Sequence, residues 1–347
     1  MIGYYVHHHG SGHRHRAFSV AQHMGDGITL LGSLGSSAGV AAPYVELPRD
    51  DRPAPAPEAD VTAGGALHWA PLRHAGQQAR AAALIRWLVA NQARLLVSDV
   101  SVEAVLLARL MSVPPVAVAL RGDRQDRVHA IGYDAAVRIL APWTRDIQHD
   151  WPERWLAKTT WTGMISRFDG RPRQVEPCGN PGLCVVLLLG FGGHGMRARD
   201  IDEAAAVPDA HWHVLGEVEA VTPTETVLTA GTVPDPWPLL CSADVVVAAA
   251  GDAAIADVAA ARAPLVAVPQ HRPFREQVEH VRVLAERQLC IPAAPWPTRA
   301  KWPRLLASAQ EIAGHRWAEV SDGLGAQRAA TLLSELASSP VRSKTIA

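Results

Sequence analysis

The chain has 347 residues, 48% hydrophobic and 19% charged, with a formal net charge of −1. That length suits two ordinary domains, and the apolar content can fill two cores. The near-neutral balance excludes a nucleic-acid binder that relies on broad phosphate neutralisation, and no apolar run approaches the roughly 18–20 residues of a membrane helix.

Strand and helix signals alternate from the first residues, the pattern of an α/β chain with parallel sheets. In the first half, strands are expected at IGYYV, 27–32, 44–47, 93–99, 115–120 and 137–142, with helices at 14–23, 72–93, 102–111 and 125–135. DRPAPAPEAD (51–60) is proline-broken and acidic and reads as a mobile surface loop. From 151 to 177 the periodicity dissolves into tryptophans, prolines and charges, which reads as an interdomain connection packing its aromatics. A second series follows, with strands at 184–189, 211–215, 226–228, 244–248 and 264–268 and helices around 201–206, 253–261 and 274–286. The apolar runs LCVVLLLGF and ADVVVAAAG are bounded by glycine and short, as buried parallel strands are. The tail at 324–337 has helical composition. The domains are placed at 1–165 and 166–320, with 321–347 a helix and tail packing back on the first domain.

Cys178, Cys184, Cys241 and Cys290 show no CxxC spacing and are read as thiols without a disulfide framework. The first residues lack the charged start and long apolar stretch of a signal peptide, so a cytoplasmic location is expected.

Each series has a glycine-rich turn after its first strand: GSGH (10–13) and GFGGHG (190–195). Glycine permits a sharp turn and close approach to a ligand, and the helix that follows offers unpaired N–H groups to an anion. The first turn lacks the third glycine of GxGxxG, and no acidic residue stands where a ribose would need it. A nicotinamide dehydrogenase therefore fits poorly.

The segment ADVVVAAAGDAAIADVAAARAPLVAVPQHRPFREQVEHVRVLAERQL (243–289) resembles the GT-B glycosyltransferases. The likeness is to the group around the peptidoglycan lipid-intermediate GlcNAc transferase, with its family 28 type C-terminal domain, and the UDP-glycosyltransferases. GSGHRHRAFSVAQHM resembles the same group's glycine-then-histidine turn into its first helix. The resemblance implies two Rossmann-like, doubly wound domains facing across a cleft, with the acceptor on the first and a nucleotide-sugar donor on the second. By that likeness Asp257 would grip the ribose hydroxyls, Gln277 with Glu276 beside it would read the sugar, and Val233 would lie by the base. Gly192, Gly193 and His194 would lie near the diphosphate, with His194 alternatively filling a polar turn. Gly251 would start the helix aimed at the phosphates. UDP is the favoured donor nucleotide, and no cofactor or metal is expected. Two positions depart from the family. Asp252 stands where a neutral residue or histidine is usual, and Ala254 stands where a hydroxyl commonly meets phosphate. A carboxylate at an anion-binding helix end repels diphosphate unless it caps the helix or takes a proton.

HHHGSGHRHRAF (7–18) holds the remaining candidates. Its uneven spacing argues against a tag. If extended, His7, His8 and His9 alternate in direction and do not meet one ion, and His9, His13 and His15 have no neighbouring cysteine or carboxylate. His7, His8 and His15 read most simply as solvated or capping residues. His13 follows Gly10, Ser11 and Gly12, which form the acceptor-side loop. Asp99 ends the strand LLVSD and is its best partner, the alternative being a cap for the helix at Val102. An imidazole backed by a carboxylate suits removal of a proton from an acceptor hydroxyl. The leading expectation is thus an inverting glycosyltransferase, with His13 as base and a hydroxyl acceptor of unassigned identity. Nucleic acid is not expected as a partner, and peripheral membrane contact is left open. The alternatives are a catalytically silent partner protein of the same fold, for which Asp252 and Ala254 speak, and a UDP-sugar 2-epimerase, which needs several carboxylates in the cleft.

Overall fold

A computed structural model describes residues 1–35, 42–147, 150–176, 182–190 and 195–339. In the first half it has strands β1 (Ile2–Val6), β2 (Ile28–Gly32), β3 (Tyr44–Glu46), β4 (Leu95–Asp99), β5 (Pro115–Val118), β6 (Arg138–Ala141) and β7 (Thr159–Trp161). Helices α1 (Ser11–Gln22), α2 (Ala75–Ala90), α3 (Val102–Leu110), α4 (Arg127–Ala135) and α5 (Glu153–Leu156) alternate with them. The strands form one parallel sheet in the order β3-β2-β1-β4-β5-β6-β7.

The second half contributes β8 (Leu183–Leu188), β9 (Ala210–Leu215), β10 (Val227–Gly231), β11 (Val245–Ala248), β12 (Leu265–Ala267) and β13 (Ile291–Pro292). Its helices are α6 (Ala198–Ala205), α7 (Trp237–Ser242), α8 (Asp252–Ala261), α9 (Glu276–Glu286), α10 (Trp302–Gln310) and α11 (Gly325–Ser338). The second parallel sheet runs β10-β9-β8-β11-β12-β13. Both sheets reverse their order of winding in the middle, between β1 and β4 and between β8 and β11. Doubly wound sheets open a crevice beyond the carboxyl ends of the strands at such a point. Those ends carry Asp99 on β4 and Gly251 after β11.

The central strands are buried along their whole length, as in β1, β2, β4 and β11. Helices covering both faces leave no solvent side for polar residues, which is why the sequence reads as continuous apolar runs. The two domains divide between β7 and β8. Ile165 packs in the first core, while Met164 and Phe168 pack in the second. The carboxyl-terminal helix α11 returns to the first domain, where Ala326, Ala329, Ala330 and Leu333 join the core of Val20, Ile28 and Leu95.

Several details differ from the sequence reading. The stretch read as an interdomain connection supplies α5 and the edge strand β7. Its Trp151 and Trp155 join Trp143 and Tyr133 in the first domain's core. The proline-broken segment at 51–60 is folded down: Ala59 is buried, and its carbonyl accepts the Leu72 N–H at 2.7 Å. Gly76 of α2 packs so closely on this segment that a Cβ there would lie 2.1 Å from the Arg52 carbonyl oxygen. Cys184 is disulfide-bonded rather than a free thiol, while Cys241 and Cys290 are free and buried. Among the described residues no helix is long and apolar enough to cross a membrane.

Candidate functional site

The chain leaves β1 through His7–His9 and reaches Gly10, whose φ of 83° lies in the region that glycine tolerates and other residues avoid. Gly10 is the N-cap of α1 and, having no side chain, leaves the helix's first N–H groups without a side-chain cap. Helix α1 starts at Ser11, earlier than the sequence pattern suggested, so His13 and Arg16 stand one turn apart on the same face.

Both side chains reach the end of β4. His13 Nδ1 lies 2.9 Å from Asp99 Oδ1. Arg16 donates to the same carboxylate through Nε (3.0 Å to Oδ2) and Nη2 (3.1 Å to Oδ1), and the Tyr4 hydroxyl donates at 3.1 Å. Asp99 is fully buried. Burial works to raise its pKa, but Arg16 and His13 outweigh it and hold the carboxyl well below the usual range. An ionised carboxylate only accepts hydrogen bonds, so the Nδ1 facing it carries the proton. That leaves Nε2 of His13 as the basic nitrogen. The capping alternative for Asp99 falls to Ser101, whose hydroxyl oxygen accepts the Ala104 N–H at 3.2 Å.

The opposite wall begins at α8. Its N-cap is Gly251, again with no side-chain cap, and a Cβ on Gly12 would stand 3.3 Å from that of Ala253. Two helix amino termini, each carrying partial positive charge, therefore converge across the gap. Asp252 does not cap α8. Its Oδ2 lies 3.7 Å from Arg16 Nη1, and its Oδ1 lies 3.5 Å from Nδ1 of the buried His280. Burial and the nearby Arg121 push the His280 imidazole down to about 4. Asp252 and the Ala250 carbonyl pull it back up only in part.

Of the expected donor residues, Asp257, Glu276 and Gln277 stand on this wall, already engaged. Asp257 is buried and accepts from Ser166 Oγ at 2.7 Å and from Arg167 Nε at 3.0 Å. Its burial raises its pKa against the pull of Arg167 and Ser166. Gln277 accepts the backbone N–H of Gln270 at 2.7 Å. Glu276 accepts from Arg124 of the first domain at 2.9 Å, with its carboxyl raised by burial and by Asp252.

A cavity of about 420 Å³ lies between the walls, lined by Ser11, Gly12, His13 and Arg16 from one domain and by Gly251, Asp252, Asp257, Glu276 and Gln277 from the other. Gly10 lines it too. Val233 packs, partly buried, against the second core and is not among the lining residues. Gly192, Gly193 and His194 lie outside the described residues. The turn at 123–126 is an interdomain contact. The Asp123 N–H donates to the Phe274 carbonyl at 2.7 Å, and Arg124 stacks 4.9 Å above the Phe274 ring. Trp237 packs on Phe168 with ring centroids 4.8 Å apart, as a structural residue does.

Among the described residues, two groups of side chains bring possible metal-ligating atoms within 4.8 Å of one another: His8, His9 and Asp51, and His68, Asp126 and His129. The first arises because the segment after β1 is not extended, so His8 and His9 do turn toward one carboxylate. That carboxylate is held by Arg49 on both oxygens, and Asp126 both caps α4 and pairs with His129.

Sequence reasoning missed Arg16, Tyr4, Arg121, Ser166 and Arg167. Arg16 carried a signal, its three-residue spacing from His13, which puts the two on one helix face if the helix starts at the glycine turn. The others carried none, since each acts through a partner remote in sequence.

No protein-family model and no curated protein matches the chain. Solved structures do. The spinosyn forosaminyltransferase SpnP superposes with a TM-score of 0.72 at 13% identity, over 97% of this chain and 99% of that one. The spinosyn rhamnosyltransferase SpnG complexed with thymidine diphosphate gives 0.67 at 14% identity, over 96% and 100%. MurG of Acinetobacter baumannii gives 0.61 at 13%, over 96% and 99%. With near-complete coverage of both partners and two doubly wound sheets meeting at a cleft, the chain has the GT-B fold.

Proposed function

We propose that the protein is an inverting glycosyltransferase that moves a sugar from a nucleoside diphosphate to an acceptor hydroxyl. The observation that carries this reading is the His13–Asp99 pair at 2.9 Å on one wall of a cavity whose other wall is the amino terminus of α8. His13 Nε2 takes the acceptor O–H proton while the acceptor oxygen attacks the anomeric carbon. The bond from that carbon to the diphosphate oxygen breaks, and the nucleoside diphosphate leaves with the electron pair. Asp99 fixes the tautomer of His13 and steadies the imidazolium that forms. The helix termini of α1 and α8 receive the growing negative charge of the leaving group. SpnG, a structural relative, binds thymidine diphosphate, so dTDP-sugars stand beside UDP-sugars as donors to test.

The test is release of nucleoside diphosphate from a panel of UDP- and dTDP-sugars with hydroxyl acceptors, in wild type and His13→Ala. Loss of roughly 10²-fold or more in turnover, with the circular dichroism spectrum unchanged, is the expected result. Undiminished turnover in His13→Ala removes the proposed base.

Asp252 favours a second reading, a silent partner protein of the same fold, because it sets a carboxylate in the first turn of α8. Under that reading the wild type turns over no donor.

A further inference from the structure

The cleft contains a charge that the proposed chemistry has not yet used. Arg121 follows β5, lines the cavity, and is only 6% exposed. Its guanidinium lies over the Trp143 ring at 4.8 Å from the centroid, and its Nη2 is buried with no hydrogen-bond partner. A guanidinium has five N–H donors and no acceptor, and a buried donor left without a partner carries an uncompensated desolvation cost. Such a group points to an anion that supplies the missing acceptors.

Its surroundings narrow the anion. Across the gap, Asp252 is its electrostatic neighbour, yet Asp252 Oδ2 is also buried without a hydrogen-bond partner and lies 3.7 Å from Arg16 Nη1. The carboxylate thus offsets the charge of Arg121 without satisfying its geometry. Burial lowers the Arg121 pKa only to about 10, so the side chain stays charged at neutral pH. The uncapped amino termini of α1 and α8 converge on the same space. A planar fork with two helix ends matches an anion with several oxygens, as a diphosphate has.

We infer that Arg121 binds the phosphate oxygens of the nucleoside diphosphate, reaching it from the first domain, and that Asp252 opposes it as a competing internal anion. This rests on the transferase reading and adds to it a binding residue on the acceptor-side domain. The donor site is then complete only when both domains are in place, and the anomaly of Asp252 has a physical counterpart. Arg121 and Arg16 supply the positive charge that Asp252 subtracts from the end of α8.

The experiment is calorimetric titration of the full chain with UDP and with dTDP, using uridine and thymidine as phosphate-free controls. Wild type, Arg121→Gln, Arg121→Lys and Asp252→Asn are compared, each with its melting temperature. For the diphosphate that wild type binds, Arg121→Gln raises Kd roughly tenfold or more, and Arg121→Lys does so less, because it keeps the charge but loses the fork. Asp252→Asn lowers Kd, and nucleoside binding is the same in all four proteins. Equal diphosphate affinity in wild type and the Arg121 variants, with melting temperatures unchanged, overturns this inference and leaves the transferase reading standing. So does weaker or unchanged binding in Asp252→Asn, which also decides the matter if the Arg121 variants do not fold. A wild type that binds neither diphosphate overturns both readings.

Discussion

The two glycines that open helices at the cleft, Gly10 before α1 and Gly251 before α8, share one place in the fold and differ in how the polar groups around them are satisfied. Both open a helix without a side-chain cap, and both follow a strand at the switch point of its sheet. On the first wall, His13 keeps one nitrogen outside its pairing with Asp99, while Arg16 and Tyr4 hold that carboxylate from behind. On the second, Asp257, Glu276 and Gln277 are each already bonded to protein. The first wall is organised before any substrate arrives. Under the transferase reading proposed above, the second has to exchange internal partners for those of a ligand. Proton removal gains from a fixed geometry, whereas a site that binds and releases a highly charged group works with bonds that trade.

That contrast can be broken at three further places. The largest effect is expected on the fixed wall. Asp99→Asn removes the charge that holds His13 in one tautomer, so turnover falls roughly 10²–10⁴-fold while donor affinity changes little. Initial-rate kinetics separate the two quantities. The same variant sharpens the picture through pH. The fold lowers the Asp99 pKa below its ordinary 3.8, so the ionised carboxylate contributes stability above that value and loses it as pH falls. The gap in melting temperature between wild type and Asp99→Asn should therefore hold level from pH 7 to about 5 and narrow only as the pH falls below about 4. A gap that stays level below about pH 4 as well would show that the carboxylate charge is not what stabilises the wall.

A smaller effect is expected where the walls touch. Gly12→Val places a branched side chain against Ala253, where even a Cβ would come to 3.3 Å. The two helix ends separate and diphosphate affinity drops roughly tenfold, since the pull of a helix terminus fades within one turn. Calorimetry on the variant tests this, and unaltered affinity would mean that the two termini do not act together.

The smallest effect concerns Asp169, at the junction of the domains. Burial, with Asp257 and Asp322 adding to it, pushes its carboxyl up to about 6, against the Ser166 N–H and Arg262. Here the sign is reversed. The folded state disfavours the charge, so a penalty grows as pH rises from about 4 through 6 and is complete above. Asp169→Asn should stabilise the protein by about 1–3 kcal/mol at pH 8 and leave it unchanged at pH 3. Denaturant melts at the two pH values provide the check, and equal shifts at both would reject the account.

Much of this architecture was legible before any coordinates. IGYYV, LCVVLLLGF and ADVVVAAAG could only be short buried strands, because each is apolar, bounded by glycine or a charged turn, and too short to span a membrane. The glycine turn before α1 was legible for a similar local reason, although the helix begins at Ser11 and not at 14. Strand β7 was not. Thr159–Trp161 sits among tryptophans and charges, and only pairing with β6 at the sheet's edge makes it a strand. The contact made by the turn at 123–126 was not legible either, because its charges look like surface charges until Phe274 and Glu276 arrive from the other domain.

The division follows from range. Hydrophobic period, turn glycines and the placing of His13 and Asp99 at the ends of regular elements are local properties, so the order of residues determined two doubly wound lobes and where their turns fall. Which charge meets which was decided only by the tertiary structure. Arg16 reaches Asp99 across 83 residues, Ser166 reaches Asp257 across 91, and Arg124 reaches Glu276 across 152. At such separations the chain order imposes no pairing. The packing of one sheet-and-helix layer against another sets each distance, and with it the charge state of every group in the cleft.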